Sequence, residues 1–518
     1  MKSENQTYKN EIVLFTIVFF TGFISFSYLS YSNVLVGDDW NALVQPNFLD
    51  KTTVQMGRWM HKVISDLTFD RLFAPVFTLS FLLFVNSVGV VLVTKWVSIK
   101  SLQDRFIFSV LYVNNPIWIE AYLFKMGHLP KAFALIFCFL SAYIAINHAF
   151  IRKKNSLFLI TSSAFFLAFG AACYQTYAFI AILVIFLALF KSVLNKDKLL
   201  FWKVRITGII SVLSAIIYVA LTYAVLRYFA LPVKKNLGDR YNITDISGIE
   251  NFGTNFLLVI NKIFNFYIKG SHLLPSWITI ISLSGFFIII YRLYSSRIEL
   301  KGKMFGILLL GSIFLLPWSI SFINANLNIR YNMMIPLALT MSYFIYEFFL
   351  ALKRIIYLKY LAITLLSGIL FFMMFFNNAA GYAKYLSVQR DNNLTNLLIN
   401  HILDNPEFDP NFEFKLTFIG KNPYKLPNQK RRPFDVLHNE YEGNLNNMVN
   451  CGIWDCQLRR ITDHIFLQTS LDNITYVRRS NKGVKKIIQK LNKLKTVSWP
   501  HKESVIVDFE HKIICVLF

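Results

Sequence analysis

The sequence predicts an all-α polytopic membrane bundle of about eleven transmembrane helices, followed by a C-terminal α+β domain on the periplasmic side. Of the 518 residues, 55% are hydrophobic and only 16% are charged, well below the roughly 25% charged residues of a soluble domain. Apolar windows of about 18 residues or more recur along the chain, and a soluble core does not need them. Lys and Arg lie mostly in the short segments between these windows.

Each predicted span approaches the length that crosses a bilayer core of about 30 Å. In chain order the spans cover residues 12–32, 73–94, 105–124, 130–150, 156–173, 176–190, 205–229, 273–292, 304–323, 332–351 and 358–378. The first is too long for a cleaved signal peptide, and no Ala-x-Ala-like site follows it, so we expect it to be retained.

The distribution of positive charge predicts the orientation of the chain. Basic connections between alternate spans share the side of the N-terminus, and they are residues 94–105, 151–155, 191–205, 291–303 and 353–360. The positive-inside rule makes this side the cytoplasm. The outer loops 34–72 and 230–272 then face outward, and an odd number of spans places the tail on the same outer side. The net charge of +24 follows from this pattern and does not indicate nucleic acid as a partner.

Two domains are predicted, a transmembrane domain of residues 1–378 and a periplasmic domain of residues 379–518. The second has about 140 residues, enough for one core. In it, "FKLTFIG" and "ESVIVDFEHKIICVLF" predict strands, the latter a hairpin turning near 510–512, and "GVKKIIQKLNKLK" predicts a basic amphipathic helix. Cys451 and Cys456 could form a disulfide in an oxidising compartment or remain free.

The sequence motifs narrow the chemistry that an outer-face site could carry out. The chain has no GxxxxGK[ST], no GxGxxG after a strand and no HExxH. A site on the outer face also has no access to cytosolic ATP or nucleotide sugars, so its activated donor must arrive through the membrane, and a polyprenyl-phosphate sugar meets that requirement. Its transfer needs a carboxylate to take the proton of the acceptor hydroxyl and cations to stabilise the departing phosphate. We predict no cofactor and no metal, although two carboxylates could hold a divalent cation.

Asp38 and Asp39, in "VGDDW" just after the first span, are the candidate catalytic acids. At headgroup depth one would act as the base and the other would support it. If both are desolvated together, mutual repulsion raises the pKa of one and makes it a better base at neutral pH. The alternative is a pair of solvated loop carboxylates, with Asp39 capping the following helix.

Two arginines are candidate clamps for the lipid phosphate. Arg58 lies in "MGRWMHKVISDLTFD", whose apolar periodicity predicts an interfacial helix that begins close to this residue. Its alternative role is that of a snorkelling anchor. Arg330, with Tyr331, lies in the short outer loop "NANLNIRYN" and is the second candidate.

Five further residues are predicted at the same outer level as substrate-binding candidates. They are Glu120, Lys125, His128, Tyr174 and Gln175. A Glu within an apolar span is costly and is expected to face protein or a wet cavity. The Tyr and Gln of "CYQTY" could bind sugar by stacking and amide hydrogen bonds, or could simply pack between two tightly joined spans.

Several short motifs together resemble the GtrII-like bacterial and phage glucosyltransferases, the serotype-converting enzymes that modify the O-antigen of lipopolysaccharide. These motifs are "GDDW", "GRW", "CYQTY", "RYN" and the chain end "SWPHKESVIVDFEHKIICVLF". The resemblance implies a GT-C-type fold whose catalytic acid in the first outer loop is Asp38 or Asp39, with Arg58 as the loop arginine.

The resemblance also implies the substrates and partners. The donor would be undecaprenyl-phosphate-linked glucose, made by a separate transferase and turned outward by a flippase. The acceptor would be a hydroxyl of O-antigen at the periplasmic face of the bacterial inner membrane. One base without an obvious covalent nucleophile suggests inversion at the anomeric carbon.

Two other classes of function compete with this hypothesis. A lipid-linked sugar flippase or polysaccharide transporter would carry ionisable residues near mid-bilayer and often inverted repeats, and neither is visible in the sequence. The other class is a different outer-face transferase. An O-antigen polymerase or ligase is disfavoured by the long tail and the early acid pair, whereas a protein mannosyltransferase fits the same chemistry.

Overall fold

A computed structural model describes eleven stretches of the chain. They are residues 2–31, 53–68, 74–151, 156–231, 252–271, 273–323, 333–409, 414–419, 474–476, 505–508 and 513–517. The described residues belong to two compact units. The first contains the described residues up to Asn378, and the second contains those from Ala379 onward.

The first unit is built from α-helices. Its helices are α1 (Lys2–Ser25), α2 (Ser27–Tyr31), α3 (Trp59–Leu67), α4 (Pro75–Trp96), α5 (Leu102–Val113), α6 (Trp118–Leu123), α7 (His128–Ile144), α8 (Ser156–Cys173), α9 (Gln175–Leu194), α10 (Leu200–Tyr228), α11 (Phe252–Lys269), α12 (Ser276–Ser295), α13 (Leu300–Leu315), α14 (Ser319–Ile323), α15 (Pro336–Lys353) and the first part of α16 (Lys359–Leu403). Short 3₁₀ turns lie at Lys125–Gly127, Leu316–Trp318 and Ile356–Leu358, and one π-helical turn lies at Ala145–Ala149.

The chain is a helical membrane protein, as its composition predicts. Within the described residues, 7 helical segments are long and apolar enough to cross a membrane. They are Pro75–Trp96, His128–Ala149, Gln175–Leu194, Leu200–Tyr228, Ser276–Ser295, Leu300–Trp318 and Lys359–Ala383. Each span predicted from the sequence overlaps helical residues of the structure.

The third predicted span, residues 105–124, is wrong as a single helix. The structure divides it into α5 and α6, with a break at Asn114–Ile117. Pro116 causes the break because it has no N–H to donate and disfavours helical geometry at the residue before it. The side chain of Asn115 stabilises the bend by accepting a hydrogen bond from the Ile117 N–H at 3.1 Å. Glu120 therefore lies in a short separate helix and not inside a continuous apolar span.

Close helix contacts and a few buried polar groups hold the first unit together. At Gly285 of α12, an added Cβ would lie 1.9 Å from the carbonyl oxygen of Phe344 in α15, so only glycine permits this approach. The amide of Asn377 donates to the Ser25 hydroxyl at 2.7 Å and to the Asn114 carbonyl at 2.8 Å. These bonds join α16 to α1 and to the end of α5.

A buried arginine joins α5 to α1 and α4. Nη1 and Nη2 of Arg105 donate to the two carboxylate oxygens of Glu11 at 2.5 and 2.7 Å. Its Nε donates to the Thr94 hydroxyl at 2.9 Å. Lys95 adds a second cation 3.3 Å from the Glu11 carboxylate. The charge of this arginine is thus neutralised within the protein.

The second unit contains the end of α16 and a four-stranded sheet. The strands are β1 (Phe414–Ile419), β2 (Ile474–Tyr476), β3 (Val505–Asp508) and β4 (Ile513–Leu517), in the order β2-β1-β4-β3. β1 pairs in parallel with β2 and β4, whereas β3 and β4 are antiparallel. The strand predicted in "FKLTFIG" and the two strands of the terminal hairpin are confirmed. The predicted helix over residues 483–495 and the pair Cys451 and Cys456 lie outside the described residues.

Candidate active site

A tight turn at residues 53–58 determines where Arg58 lies. The Arg58 N–H donates to the Thr53 carbonyl and the Gly57 N–H to the Val54 carbonyl, both at 2.9 Å. This is the pattern of a Schellman turn, which needs a left-handed residue just past the end of a helical turn. Gly57 supplies it with a φ of +77°. Arg58 then occupies the N-cap position of α3.

Helix α3 confirms the helix predicted from the amphipathic pattern after Arg58. Its residues Trp59 and Ile64 are buried, whereas Val63 and Leu67 are exposed. The Trp59 ring meets Phe169 of α8 edge-on, with 5.8 Å between ring centroids. Its indole N–H donates to the Thr222 hydroxyl of α10 at 3.2 Å. These contacts anchor the segment that carries Arg58 to two apolar helices.

The structure brings Arg58 together with Tyr174 and Gln175, two of the other predicted site residues. Nε of Arg58 donates to Oε1 of Gln175 at 2.8 Å. The guanidinium carbon lies 4.1 Å from the centroid of the Tyr174 ring, in a cation–π contact. Tyr174 is the residue between α8 and α9, and its extended backbone (φ −160°, ψ 109°) ends one helix and caps the next.

Gln175 is itself held in place by its amide N–H₂ group. It donates to the Met56 carbonyl at 2.7 Å and to the Tyr218 hydroxyl at 3.0 Å. Tyr218 also packs over Gly57, where an added Cβ would lie 2.3 Å from the phenol oxygen. One glutamine thus fixes both the turn before Arg58 and the Nε edge of its guanidinium.

Within the described part of the chain, this arrangement leaves the Nη edge of the guanidinium available for an anion. Among the residues that the structure describes, none accepts a hydrogen bond from Nη1 or Nη2 of Arg58. The two contacts that hold the group, an amide oxygen and an aromatic face, are both neutral. A planar guanidinium fixed in this way is suited to bind a phosphate or carboxylate with two parallel hydrogen bonds.

Lys131 lies near the same ring and was not among the residues predicted from the sequence. Its Nζ lies 6.0 Å from the Tyr174 centroid and 5.3 Å from the Phe124 centroid. The side chain is buried, and Nζ donates to the Ala121 carbonyl at 2.5 Å. The available signal was a lysine inside the apolar run "HLPKAFALIFCFL", because an ionisable residue in a span indicates a functional site.

Three predicted site residues, Glu120, Lys125 and His128, lie in the short segment that follows Pro116, and their environments differ. His128 is fully buried, with one ring nitrogen 3.2 Å from the Thr78 hydroxyl and the other 2.7 Å from the Tyr122 carbonyl. Both of its nitrogens are thus bound inside the protein. Lys125 is also buried, and Glu120 is half-buried in the first turn of α6.

The remaining predicted site residues are Asp38, Asp39, Arg330 and Tyr331, and all four lie outside the described residues. Within the described residues, no group of three or more His, Cys, Asp and Glu side chains could hold a metal ion.

Comparison with known proteins identifies one family. The model of a family described as glucosyl transferase GtrII matches residues 28–341. The matched stretch contains Arg58, Lys131, Tyr174 and Gln175. No curated protein and no solved structure matches the chain.

Proposed function

The chain belongs to the glucosyl transferase GtrII family, and we propose from this membership that it moves glucose from undecaprenyl phosphate to a hydroxyl of O-antigen or a related surface polysaccharide. The donor would be a phosphodiester that joins the lipid to the anomeric carbon of the sugar. The reaction would take place at the periplasmic face of the inner membrane.

The observation that carries the proposal is the way Arg58 is held. Gln175 and Tyr174 fix its guanidinium without neutralising it. Among the residues that the structure describes, no carboxylate accepts a hydrogen bond from this guanidinium. A lipid-linked phosphate would bring a negative charge to it, and a fixed cation stabilises the charge that develops on this phosphate as the sugar leaves. Because α3 follows Arg58 directly and packs on apolar helices, the guanidinium can meet a headgroup while the lipid chain stays in the bilayer.

The proposed reaction is a single displacement. The acceptor hydroxyl oxygen attacks the anomeric carbon, and its proton passes to the carboxylate of Asp38 or Asp39. The bond between the anomeric carbon and the phosphate oxygen breaks, and undecaprenyl phosphate leaves with the bonding electrons. One displacement without a covalent intermediate inverts the anomeric configuration.

The proposed architecture is a GT-C-like bundle of about eleven spans with a cytoplasmic N-terminus and a periplasmic C-terminal α+β domain. A separate transferase would make the lipid-linked donor, and a flippase would turn it outward. Glu120, Lys125, His128, Arg330 and Tyr331 are proposed as further substrate-binding residues. For His128, a role in packing is favoured by its buried hydrogen bonds.

The test is an in vitro transfer assay with the full-length protein in liposomes, polyprenyl-phosphate glucose and isolated polysaccharide. We expect glycosylated polysaccharide of inverted anomeric configuration, detected by mass spectrometry and NMR. Asp38→Asn or Asp39→Asn should abolish transfer with normal membrane insertion, whereas the control Asp66→Asn on α3 should retain it.

Two outcomes would contradict the proposal. Movement of lipid-linked sugar across the membrane without product would identify a flippase. Full activity of both single Asp variants and of the double variant would remove the acid pair from the mechanism.

A further inference from the structure

A cluster of buried polar side chains lies in the interior of the first unit, around Trp118 of α6. Tyr112, Tyr122 and Tyr177 come from α5, α6 and α9, and Asn86 comes from α4. None of these four residues is more than 1% exposed. We call Asn86, Tyr112, Tyr122 and Tyr177 the phenol cluster.

The indole ring of Trp118 brings the three phenols together. Its centroid lies 5.5 Å from those of Tyr112 and Tyr122 and 6.3 Å from that of Tyr177. Its N–H donates to the Tyr112 carbonyl at 3.0 Å, which fixes the orientation of the ring. The amide N–H₂ of Asn86 donates to the Tyr122 hydroxyl at 3.0 Å. The phenols of Tyr112 and Tyr122 are close enough to the Tyr177 phenol to act on it electrostatically.

Three polar atoms of the phenol cluster are buried without a hydrogen-bond partner among the residues that the structure describes. They are Oδ1 of Asn86 and the hydroxyl groups of Tyr112 and Tyr177. Buried polar atoms in native proteins are nearly always bonded, either to protein or to ordered water, because a dry unpaired group costs free energy. Three such atoms in one cluster therefore need an explanation.

The chemistry of the phenol cluster indicates which ligand it would take. Phenols and carboxamides carry no charge at neutral pH, so the cluster does not suit an ion. Its residues are closed to the surface, so a sugar or a lipid headgroup does not fit. Water is small and neutral, and a buried water makes about three hydrogen bonds to polar groups that otherwise lack partners. An amide oxygen that accepts and hydroxyls that donate and accept match these bonds.

The break at Pro116 adds further polar atoms beside the phenol cluster. Oδ1 of Asn114 and Nδ2 of Asn115 are also buried without a partner in the described part of the chain. Both residues directly follow α5, the helix that carries Tyr112. The demand for hydrogen bonds thus extends from the cluster to the break between α5 and α6.

We propose that the phenol cluster is an internal water-binding site, in which ordered water bridges the hydroxyls of Tyr112, Tyr122 and Tyr177 and the amide oxygen of Asn86. The Tyr177 ring meets the Tyr174 ring with 5.5 Å between centroids, so the site lies directly behind the ring that holds Arg58. The site is independent of the proposed function, because none of its residues takes part in the proposed reaction.

The first experiment is hydroxyl-radical labelling of the full-length protein by X-ray radiolysis, read by mass spectrometry. The radicals form from water, so a buried side chain is labelled rapidly only where water lies beside it. Two tyrosines serve as references. Tyr357 is 92% exposed, whereas Tyr343 is 3% exposed and its phenol is bonded to the Glu347 carboxylate. We expect Tyr112 and Tyr177 to be labelled at rates close to that of Tyr357.

The second experiment measures the melting temperatures of Tyr112→Phe and Tyr177→Phe, with Tyr357→Phe as the control. A hydroxyl bonded to water contributes a hydrogen bond, so its removal should lower the melting temperature by about 1 to 3 °C. A dry unpaired hydroxyl opposes folding, so its removal should raise the melting temperature. The control should melt at the wild-type temperature. The sign of the change therefore distinguishes a hydrated cluster from a dry one.

Either of two results would overturn the proposal. One is labelling of both Tyr112 and Tyr177 as slow as that of Tyr343, and the other is a higher melting temperature in both Phe variants. The labelling is measured on the wild type, so it decides the question even if a variant fails to fold.

Discussion

Arg58 and Arg105 are two arginines of the same helical unit with opposite hydrogen-bonding patterns. Arg105 uses Nε and both Nη atoms on Thr94 and on the carboxylate of Glu11. Among the described residues, Arg58 finds an acceptor for Nε alone, the neutral amide of Gln175, and its guanidinium lies on an aromatic face. Both groups are fixed, but only the first is neutralised by the residues that the structure describes.

The difference separates an arginine that stabilises the fold from one that is suited to bind a ligand. A guanidinium has five N–H donors, and a structural one is expected to use most of them inside the protein. A guanidinium with fixed geometry and unused donors provides a preformed anion site, because little freedom is lost when the ligand binds. The predictions below test this contrast, from the largest expected effect to the smallest.

The largest effect is expected on stability at the buried ion pair. Arg105→Gln leaves the Glu11 carboxylate without its bidentate partner, and we expect the free energy of unfolding in detergent to fall by about 3 kcal/mol. Transfer per folded molecule should stay near the wild-type value. A double variant, Arg105→Leu with Glu11→Leu, should recover part of the lost stability. Unchanged stability of Arg105→Gln would show that Arg105 does not stabilise the fold, and the contrast between the two arginines would fail.

At Arg58 we expect the opposite pattern, a large loss of transfer activity with little loss of stability. Arg58→Gln should reduce transfer about 100-fold or more, as the loss of a fixed transition-state donor does, while the free energy of unfolding changes by about 1 kcal/mol or less. Transfer assays and thermal unfolding of the same preparation measure the two quantities. The control is Lys62→Gln on the same helix, where Lys62 pairs with Asp66 at the surface. A loss of stability as large as that of Arg105→Gln would make Arg58 a structural residue.

The glutamine that positions Arg58 should have an intermediate effect. Gln175→Leu removes the acceptor of Arg58 Nε and the donor to Met56, so we expect about a 10-fold loss of transfer from poorer orientation. Tyr218→Phe removes only one hydrogen bond of the same amide and should keep most of the activity. Equal rates for both variants would show that the Arg58–Gln175 bond does not matter for the reaction.

The smallest effect is expected at a partly buried ion pair away from both arginines. The hydrogen bond from Lys203 at 2.5 Å lowers the pKa of Asp197 below its ordinary value of 3.8. The ionised form therefore contributes stability at neutral pH, and this contribution is lost as the pH falls through 3.8 toward the lowered pKa. Asp197→Asn should cost less than about 1 kcal/mol at neutral pH and nothing in acid, as measured by unfolding across that range. If the stability difference between the wild type and Asp197→Asn grew in acid, the Asp197 carboxylate would not be stabilising the folded protein through its ion pair.

Local patterns predicted much of this site. The amphipathic run after Arg58 predicted α3, and Gly57 together with the apolar positions determined where the helix begins. The orientation rule predicted that Arg58, Tyr174 and Gln175 lie at one level of the membrane. It could not predict their contact, because the hydrogen bond from Arg58 to Gln175 joins residues 117 positions apart.

The features that the sequence analysis did not anticipate have physical causes as well. The break at Pro116 was readable from the sequence, since proline disfavours a continuous helix there. The burial of His128 was not, because a short connection does not indicate which of its side chains turn inward. Lys131 was hidden by its apolar neighbours, whose hydropathy outweighs one charge in any long window. Its proximity to Tyr174 depends on the packing of α7 against the α8–α9 junction.

The most direct measurement is the thermal stabilisation of the protein by a short-chain polyprenyl phosphate, since a ligand that binds the folded state raises its stability. The account predicts equal increases in melting temperature for the wild type and Lys62→Gln, little or none for Arg58→Gln, and none for any of them with neutral polyprenol. An increase in Arg58→Gln as large as in the wild type would show that this guanidinium does not hold the phosphate, and would contradict the account.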